Sequence, residues 1–146
     1  MTNLQHRGSR TTRTAHLNRM CRGNFRPEFR ELSAFGTCGP ARGSDATRTG
    51  EVQMLYVAHD YQELGLGRAL LRALFAALRR HRMERAIIWV VAQNPARFFY
   101  EAMGWVVQTE RTERLWNTDV TTLGYVWEDI DATIQALDER IARVGR

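Results

Sequence analysis

The chain has 146 residues, of which 44% are hydrophobic and 25% charged, and its formal net charge is +5. This size suits one domain with one sizeable core, and no apolar run approaches the roughly 18 residues of a membrane-spanning helix. The two cysteines form neither a metal-like cluster nor a disulfide framework, and no apolar signal segment begins the chain. We therefore expect a cytoplasmic protein without a metal site.

The positive charge is confined to residues 1–50. This segment holds nine Arg and three acidic residues, whereas residues 51–146 hold twelve Arg and thirteen acidic residues. It also lacks valine and isoleucine, which strands favour, so we predict a weakly ordered or degenerate segment without strands. Scattered arginines could contact nucleic-acid phosphates. We favour a solvated extension instead, and do not expect nucleic acid as a partner.

From Glu51 onward the pattern becomes that of an α/β fold. Residues 51–58 are mostly apolar on both faces and predict a buried strand, and residues 86–92 predict a second one. Between them, leucines recur at helical spacing from Leu66 to about Arg82, which predicts an amphipathic helix. Because a helix connects the two strands, they should be parallel and form a right-handed βαβ unit.

Four more elements should follow the second strand. Pro95 suits the first turn of a short helix, which should end at Gly104. Residues 105–109 and 121–128 predict two strands, joined by a polar connection. Residues 129–146 predict an amphipathic C-terminal helix.

The joint between the first strand and its helix reads Tyr61-Gln-Glu-Leu-Gly-Leu-Gly-Arg68. Two glycines one residue apart let the backbone approach a ligand, and the amides at a helix start favour an anion. The joint therefore predicts a phosphate-binding loop. A purely structural turn would use the same glycines, so this motif alone does not define a function.

A second motif, Asn94-Pro-Ala-Arg-Phe-Phe-Tyr-Glu-Ala-Met-Gly104-Trp, follows the second strand. Together with Gln62-x-x-Gly65-x-Gly67, it resembles the GNAT superfamily of acetyl-CoA-dependent N-acetyltransferases. The resemblance covers roughly residues 51–128. It implies a GNAT-like acyl-CoA N-acyltransferase fold with a mixed sheet, here lacking its first strands and followed by the C-terminal helix.

The resemblance also implies how acetyl-CoA binds. The cofactor should lie between the two parallel strands where they part, with its pantetheine arm paired to the backbone like an added strand. The loop amides should hold the pyrophosphate. Arg68 could add a charged contact or remain solvated, and Asn94 could bind pantetheine or cap the following helix. The cofactor-binding residues so implied are Leu55, Tyr56, Val57, Gln62, Glu63, Leu64, Gly65, Leu66, Gly67, Arg68 and Asn94.

Two side chains are implied to be catalytic. Tyr100 stands at the family's general-acid position, from which a phenol protonates the departing CoA thiolate. Glu51 stands where many family members carry the glutamate that takes a proton from the amine, directly or through water. A core aromatic is the alternative for Tyr100, for which we favour the catalytic role. A charged residue at the start of a strand, close to solvent, would explain Glu51 equally.

Three functions remain open at this point. The first is an active N-acetyltransferase that modifies a primary amine of a small molecule or peptide. The second is a truncated CoA-binding remnant without turnover, whose uncovered strand edge a homodimer or the C-terminal helix would cover. The third is a basic interaction protein. Acidic residues could attract a cationic amine, although a solvated loop also accounts for them: Glu110, Glu113 and Asp119.

Overall fold

The computed structural model describes residues 13–17, 34–42 and 47–144 of the chain. Its strands are β1 (Arg13–Leu17), β2 (Ala34–Pro40), β3 (Thr49–Val57), β4 (Arg85–Val91), β5 (Val107–Leu115) and β6 (Thr118–Trp127). Its helices are α1 (Leu66–Arg80), α2 (Arg97–Ala102) and α3 (Ile130–Val144), and a short 3-10 turn (His59–Tyr61) precedes α1. These described strands form one six-stranded sheet in the order β1-β2-β3-β4-β6-β5.

β3 lies inside the sheet and has a different neighbour on each side. It pairs antiparallel with β2 from Gly50 to Val57 and parallel with β4, as the βαβ pattern predicts. The parallel register runs only from Thr49 opposite Arg85 to Val52 opposite Ile88. Beyond Val52 no pair joins β3 to β4, so the two strands part and leave a gap, which we call the splay.

The helices cover one face of the sheet. Leucines of α1 pack on β2 and β3, and a Cβ added to Gly36 would come within 2.8 Å of Leu74, so this strand approaches α1 closely. α3 lies beside α1, joined to it by the ion pairs Arg72–Asp138 and Arg79–Asp131. The largest fully buried side chains of the core between them are Tyr125, Phe75, Leu70, Leu71, Leu74, Ile130 and Leu137.

The opposite face of the sheet carries no described helix, and we call it the open face. Side chains alternate between the faces of a strand. Gly50 and Val52 face the helices, and a shift in the β2–β3 register after Val52 moves the alternation by one residue, so Leu55 faces the helices as well. The open face therefore receives Met54 and Tyr56. Met54 and Tyr56 are accordingly about half exposed, at 50% and 48%. The open face also carries Glu51, Trp89 and Arg111.

Most of the predicted elements are confirmed. α1, β4 and α3 begin and end within two residues of the predicted bounds, and α2 is followed by Gly104 with a φ of +88°. Asp129 caps α3, because its carboxylate accepts a hydrogen bond from the Ala132 amide at 2.9 Å. The mixed α/β sheet predicted by the resemblance is therefore present.

The prediction that no strand precedes Glu51 is wrong. β1 and β2 both precede it, and β2 covers the edge of β3 that we expected to be exposed. α3 packs against α1 and not across this edge. The remaining parts of the basic segment, residues 1–12, 18–33 and 43–46, lie outside the described residues.

The polar connection predicted between the last two strands is also wrong. These residues extend β5 and β6 into a hairpin that turns at Trp116 and Asn117, whose φ angles are +43° and +67°. Paired positive φ angles fit the tight turn of a two-residue hairpin loop. The charged residues stand on a two-stranded ribbon whose β5 side chains are mostly exposed, and four of them form ion pairs: Arg111 with Glu113 and Arg114 with Asp119.

Candidate active site

The splay leaves a strand edge without a partner. From Met54 to Val57, β3 is paired with β2 but not with β4, so the backbone groups on the β4 side face the gap. This edge includes the predicted pantetheine-binding residues Leu55, Tyr56 and Val57. The side chain of Gln62 reaches the same strand and donates a hydrogen bond to the Val57 carbonyl at 3.2 Å.

The loop after β3 presents a row of free amides. Gly65 caps α1 with a φ of +80°, a conformation that glycine adopts without strain. The first bond of the helix runs from the Ala69 amide to the Gly65 carbonyl. None of the hydrogen bonds among described residues uses the six amides of residues 63–68. The Gln62 amide, in contrast, donates to the His59 carbonyl at 3.2 Å, so this predicted contact is already taken.

The side chains around this loop suit a charged ligand. Arg68 forms no ion pair or hydrogen bond with any described residue, and it stands in the first turn of a 15-residue helix. Leu66 packs against the core, whereas Leu64 is 54% exposed and does not support the loop from below. A Cβ on Gly67 would lie 3.1 Å from the Phe99 ring, so the loop touches α2 directly.

Tyr100 lies on α2 and is only 3% exposed. Its ring packs on Tyr125 at 5.3 Å and on Phe99 at 5.2 Å between centroids. Burial, and secondarily the neighbouring Tyr125, raises the pKa of the Tyr100 hydroxyl well above its ordinary value. No described residue forms a hydrogen bond with that hydroxyl. The phenol therefore stays protonated and retains its proton for a ligand.

Tyr125 is a supporting residue that the sequence analysis missed. Its hydroxyl donates a hydrogen bond to Glu101 at 2.9 Å, which ties β6 to the helix that carries Tyr100. Burial and this hydrogen bond raise the pKa of Tyr125 to about 12. The alternation of Leu123, Tyr125 and Trp127 placed it on a buried strand face, but no sequence signal paired it with Glu101.

Glu51 is buried on the open face, with a side-chain exposure of 2%. Both its oxygens are occupied by Arg42, which the sequence analysis also missed. The guanidinium donates from Nη2 at 2.7 Å and from Nε at 3.3 Å, and the Arg42 backbone amide donates at 3.2 Å. The hydrogen bonds and the charge of Glu51 raise the pKa of Arg42. The sheet therefore separates the two predicted catalytic side chains, with Tyr100 on the helix-covered face.

Other predicted residues take structural positions. The side-chain oxygen of Asn94 (Oδ1) accepts a hydrogen bond from the Ala96 amide at 2.9 Å, so Asn94 caps the turn into α2. Glu113 pairs with Arg111, and Asp119 pairs with Arg114 at 3.1 Å. These two acidic side chains are therefore neutralised, which weakens the interpretation that they attract a cationic amine.

Two further properties concern the described residues alone. Among them, no group of three or more His, Cys, Asp or Glu side chains is arranged to hold a metal ion. No helix in that part of the chain is both long and apolar enough to cross a bilayer.

Comparison of the chain with known protein families agrees with the geometry of this site. A family model described as an acetyltransferase (GNAT) domain matches residues 37–121. The chain therefore belongs to the GNAT acetyltransferase family. The match begins within β2, upstream of the range that the two motifs alone suggested.

Individual relatives agree with this assignment. The uncharacterized N-acetyltransferase YuaI of Bacillus subtilis is 29% identical over 117 residues, which are 79% of this chain and 68% of YuaI. A solved protein assigned to the GNAT family, from Desulfovibrio desulfuricans, has a TM-score of 0.56 at 20% identity and covers 68% of this chain. YncA of Salmonella typhimurium, solved with its cofactor acetyl-CoA, has a TM-score of 0.53 at 22% identity and covers 66%.

The two structural likenesses show the fold. This chain spans only 62% and 57% of the lengths of those two solved proteins.

Proposed function

We propose that the protein is an N-acetyltransferase that moves an acetyl group from acetyl-CoA to a primary amine of a small molecule or peptide by direct attack. One observation carries the proposal: the splay between β3 and β4 opens beside six free amides at the start of α1. Bound acetyl-CoA would supply the acetyl group as an activated thioester.

The loop and the splayed strand fit the two ends of this cofactor. Free amides at a helix start, together with the helix dipole, are a suitable site for a diphosphate. Arg68 has no competing partner among the described residues and can add a charge-assisted hydrogen bond. The free edge of β3 at Leu55, Tyr56 and Val57 can pair with an extended amide-containing arm. The side-chain nitrogen of Asn94 remains available as a further donor.

Tyr100 is the proposed general acid. Transfer joins the amine nitrogen to the acetyl carbon and breaks the carbon–sulfur bond, so the amine must lose one proton and the sulfur must gain one. The Tyr100 phenol is protonated at neutral pH, as the ordinary tyrosine pKa of about 10 requires, and a positioned general acid accelerates the reaction by about 10²–10⁴-fold. Solvent then returns the proton to the phenol.

Glu51 is the proposed proton acceptor for the amine. It lies in the last but one pair before the splay, opposite Ile87. Arg42 donates three hydrogen bonds to this carboxylate, and a carboxylate has about four lone-pair sites, so Oε1 keeps a site that can accept a proton. The acid and the base would then act from opposite faces of the sheet, across the gap in which the reacting atoms meet.

Acetyl-CoA binding and thiol release test the proposal together. Calorimetry with wild-type protein should detect acetyl-CoA binding. When the protein is assayed with acetyl-CoA and a panel of amines, at least one amine should cause release of the CoA thiol. Tyr100→Phe should lower kcat about 10²–10⁴-fold while leaving acetyl-CoA affinity unchanged. Trp116→Phe, which alters a 97% exposed aromatic side chain at the hairpin turn, should change neither quantity.

The outcomes separate the alternative functions. Binding without thiol release for any amine would indicate a CoA-binding remnant. Absence of both binding and release would favour the basic interaction protein. Equal rates of thiol release for wild type and Tyr100→Phe would show that Tyr100 is not the general acid, and the transferase activity would remain supported.

A further inference from the structure

Four charged side chains form a cluster on the open face of the sheet. Arg42 pairs with Glu51 at 2.7 Å, and Arg111 pairs with Glu113. After Glu51, the charge of Glu113 also contributes to the raised pKa of Arg42, so the two ion pairs lie within electrostatic reach of each other. The cluster, defined by Arg42, Glu51, Arg111 and Glu113, has no net charge.

The cluster lies at the mouth of the splay. The Arg111 guanidinium carbon sits 3.8 Å above the centre of the Trp89 ring. Trp89 is the β4 residue that follows Ile88, the last one paired with β3. Its cross-strand partner is Gly124, where an added Cβ would come 3.1 Å from the indole. Arg111 is thus held on the side of the gap that the helices leave open.

Arg111 keeps hydrogen-bonding capacity that no described residue uses. Its Nη2 contacts Glu113, but its Nε is buried without a partner. No hydrogen bond to a described residue uses its Nη1 either. A buried donor without an acceptor is costly and rare in native proteins. The side chain is 30% exposed, and Nη1, unlike Nε, is not buried, so a ligand can reach the guanidinium there. A guanidinium held over an aromatic ring can still bind a planar carboxylate.

We propose that the acceptor is an amine that also carries a carboxylate, such as a free amino acid, and that Arg111 binds this carboxylate. The inference rests on the proposed function, since it concerns the acceptor of the same reaction. A purely cationic acceptor fits less well, because Arg42 and Arg111 already neutralise both carboxylates of the cluster. The carboxylate at Arg111 leaves the amine directed toward the splay, where the acetyl group must be presented.

Calorimetry on the complex with CoA tests this inference without requiring turnover. Each of the common amino acids is titrated into CoA-saturated protein alongside its carboxamide, which keeps the amine but loses the negative charge. Wild-type protein should bind at least one amino acid about tenfold or more tightly than the matching amide. Arg111→Met should abolish this preference by weakening the amino acid alone.

Arg114→Met is the matched control. Arg114 lies on the same strand and forms a similar ion pair with Asp119 at 3.1 Å. It stands three residues from Arg111, so the alternation of the strand places it on the opposite face. The control variant should leave the preference intact. Arg111→Lys, which keeps the charge and loses the planar fork, should retain only part of the preference and replaces Arg111→Met if that variant fails to fold.

Three results would overturn the inference: no binding of any amino acid, equal binding of acids and amides, or equal weakening of both by Arg111→Met. Failure of the proposed function looks different. If the protein prefers carboxylates through Arg111 but releases thiol with no amine, the transferase activity is contradicted and the carboxylate-binding site remains supported. Thiol release that is equally fast with amino acids and with their amides would contradict the carboxylate site at Arg111 and leave the transferase activity supported.

Discussion

The two halves of β3 have opposite environments. From Thr49 to Val52 the strand is paired on both sides, and Val52 is 1% exposed. From Met54 to Val57 it is paired on one side only, and Met54 and Tyr56 are about half exposed. One strand therefore serves stability in its first half and leaves its second half available to a ligand. A strand fully paired on both sides could not bind the cofactor along its edge.

The strongest test of this division is a pair of truncations within the strand. Val52→Ala should lower the free energy of unfolding by about 2–3 kcal/mol, because it removes two buried methyl groups and leaves a cavity. Met54→Ala should change it by less than about 0.5 kcal/mol, since half of that side chain already contacts water. Urea denaturation measures both. Similar losses at the two positions would contradict the division of β3.

The ion pair at the start of β3 gives the next largest effect. Arg42→Ala should destabilise the protein by about 2 kcal/mol, because it removes both guanidinium hydrogen bonds of the buried Glu51 carboxylate and leaves only the bond from the backbone amide of residue 42. Arg114→Ala should cost no more than about 0.5 kcal/mol, since both partners of that pair are exposed. If chemical denaturation finds equal losses for the two arginines, the buried position of Glu51 is wrong.

Substitutions at the two glycines with positive φ distinguish an effect on stability from an effect on cofactor binding. Gly65→Ala and Gly104→Ala each force alanine into a left-handed conformation with open space around it, and each should cost about 1 kcal/mol in thermal denaturation. Only Gly65→Ala should also weaken acetyl-CoA binding, because Gly65 shapes the row of free amides. An equal loss of affinity at Gly104 would argue that the loop has no special role.

The smallest effect at neutral pH is expected for Tyr125→Phe, and its clearest signature lies at alkaline pH. The pKa of Tyr125 is raised to about 12, above the ordinary tyrosine value of about 10, so unfolding releases a proton between these values. Stability should therefore be fully present below pH 10 and should fall as the pH rises toward 12. Tyr125→Phe should cost about 0.5–1 kcal/mol at neutral pH and should flatten the alkaline fall. An unchanged pH profile in the variant would contradict the account of Tyr125.

The first half of the chain shows why sequence patterns missed two strands. β2 reads Ala-Phe-Gly-Thr-Cys-Gly-Pro, with little of the β-branched content that predicts a strand. Its glycine at position 36 is required by packing, since a Cβ there would collide with Leu74 and with the Met54 carbonyl at 2.9 Å. Tertiary contact, which no local pattern encodes, selects the strand.

The candidate site could be predicted from sequence only where its residues belong to local motifs. The loop and Tyr100 occupy fixed places in sequence motifs, and helical periodicity located α1 between the two strands. Arg42 and Arg111 belong to no motif and reach Glu51 and Trp89 only through strand register. The lengthened hairpin was misread because its charged residues alternate on an exposed ribbon, which resembles a solvated loop.

One measurement tests the central claim most directly. Backbone amide signals of ¹⁵N-labelled protein are followed by NMR during titration with CoA and, separately, with pantetheine, which lacks the diphosphate. CoA should shift the amides of residues 63–68 most strongly, whereas pantetheine should shift residues 54–57 and leave the loop nearly unchanged. Loop amides that stay unmoved by CoA at saturation would contradict the account.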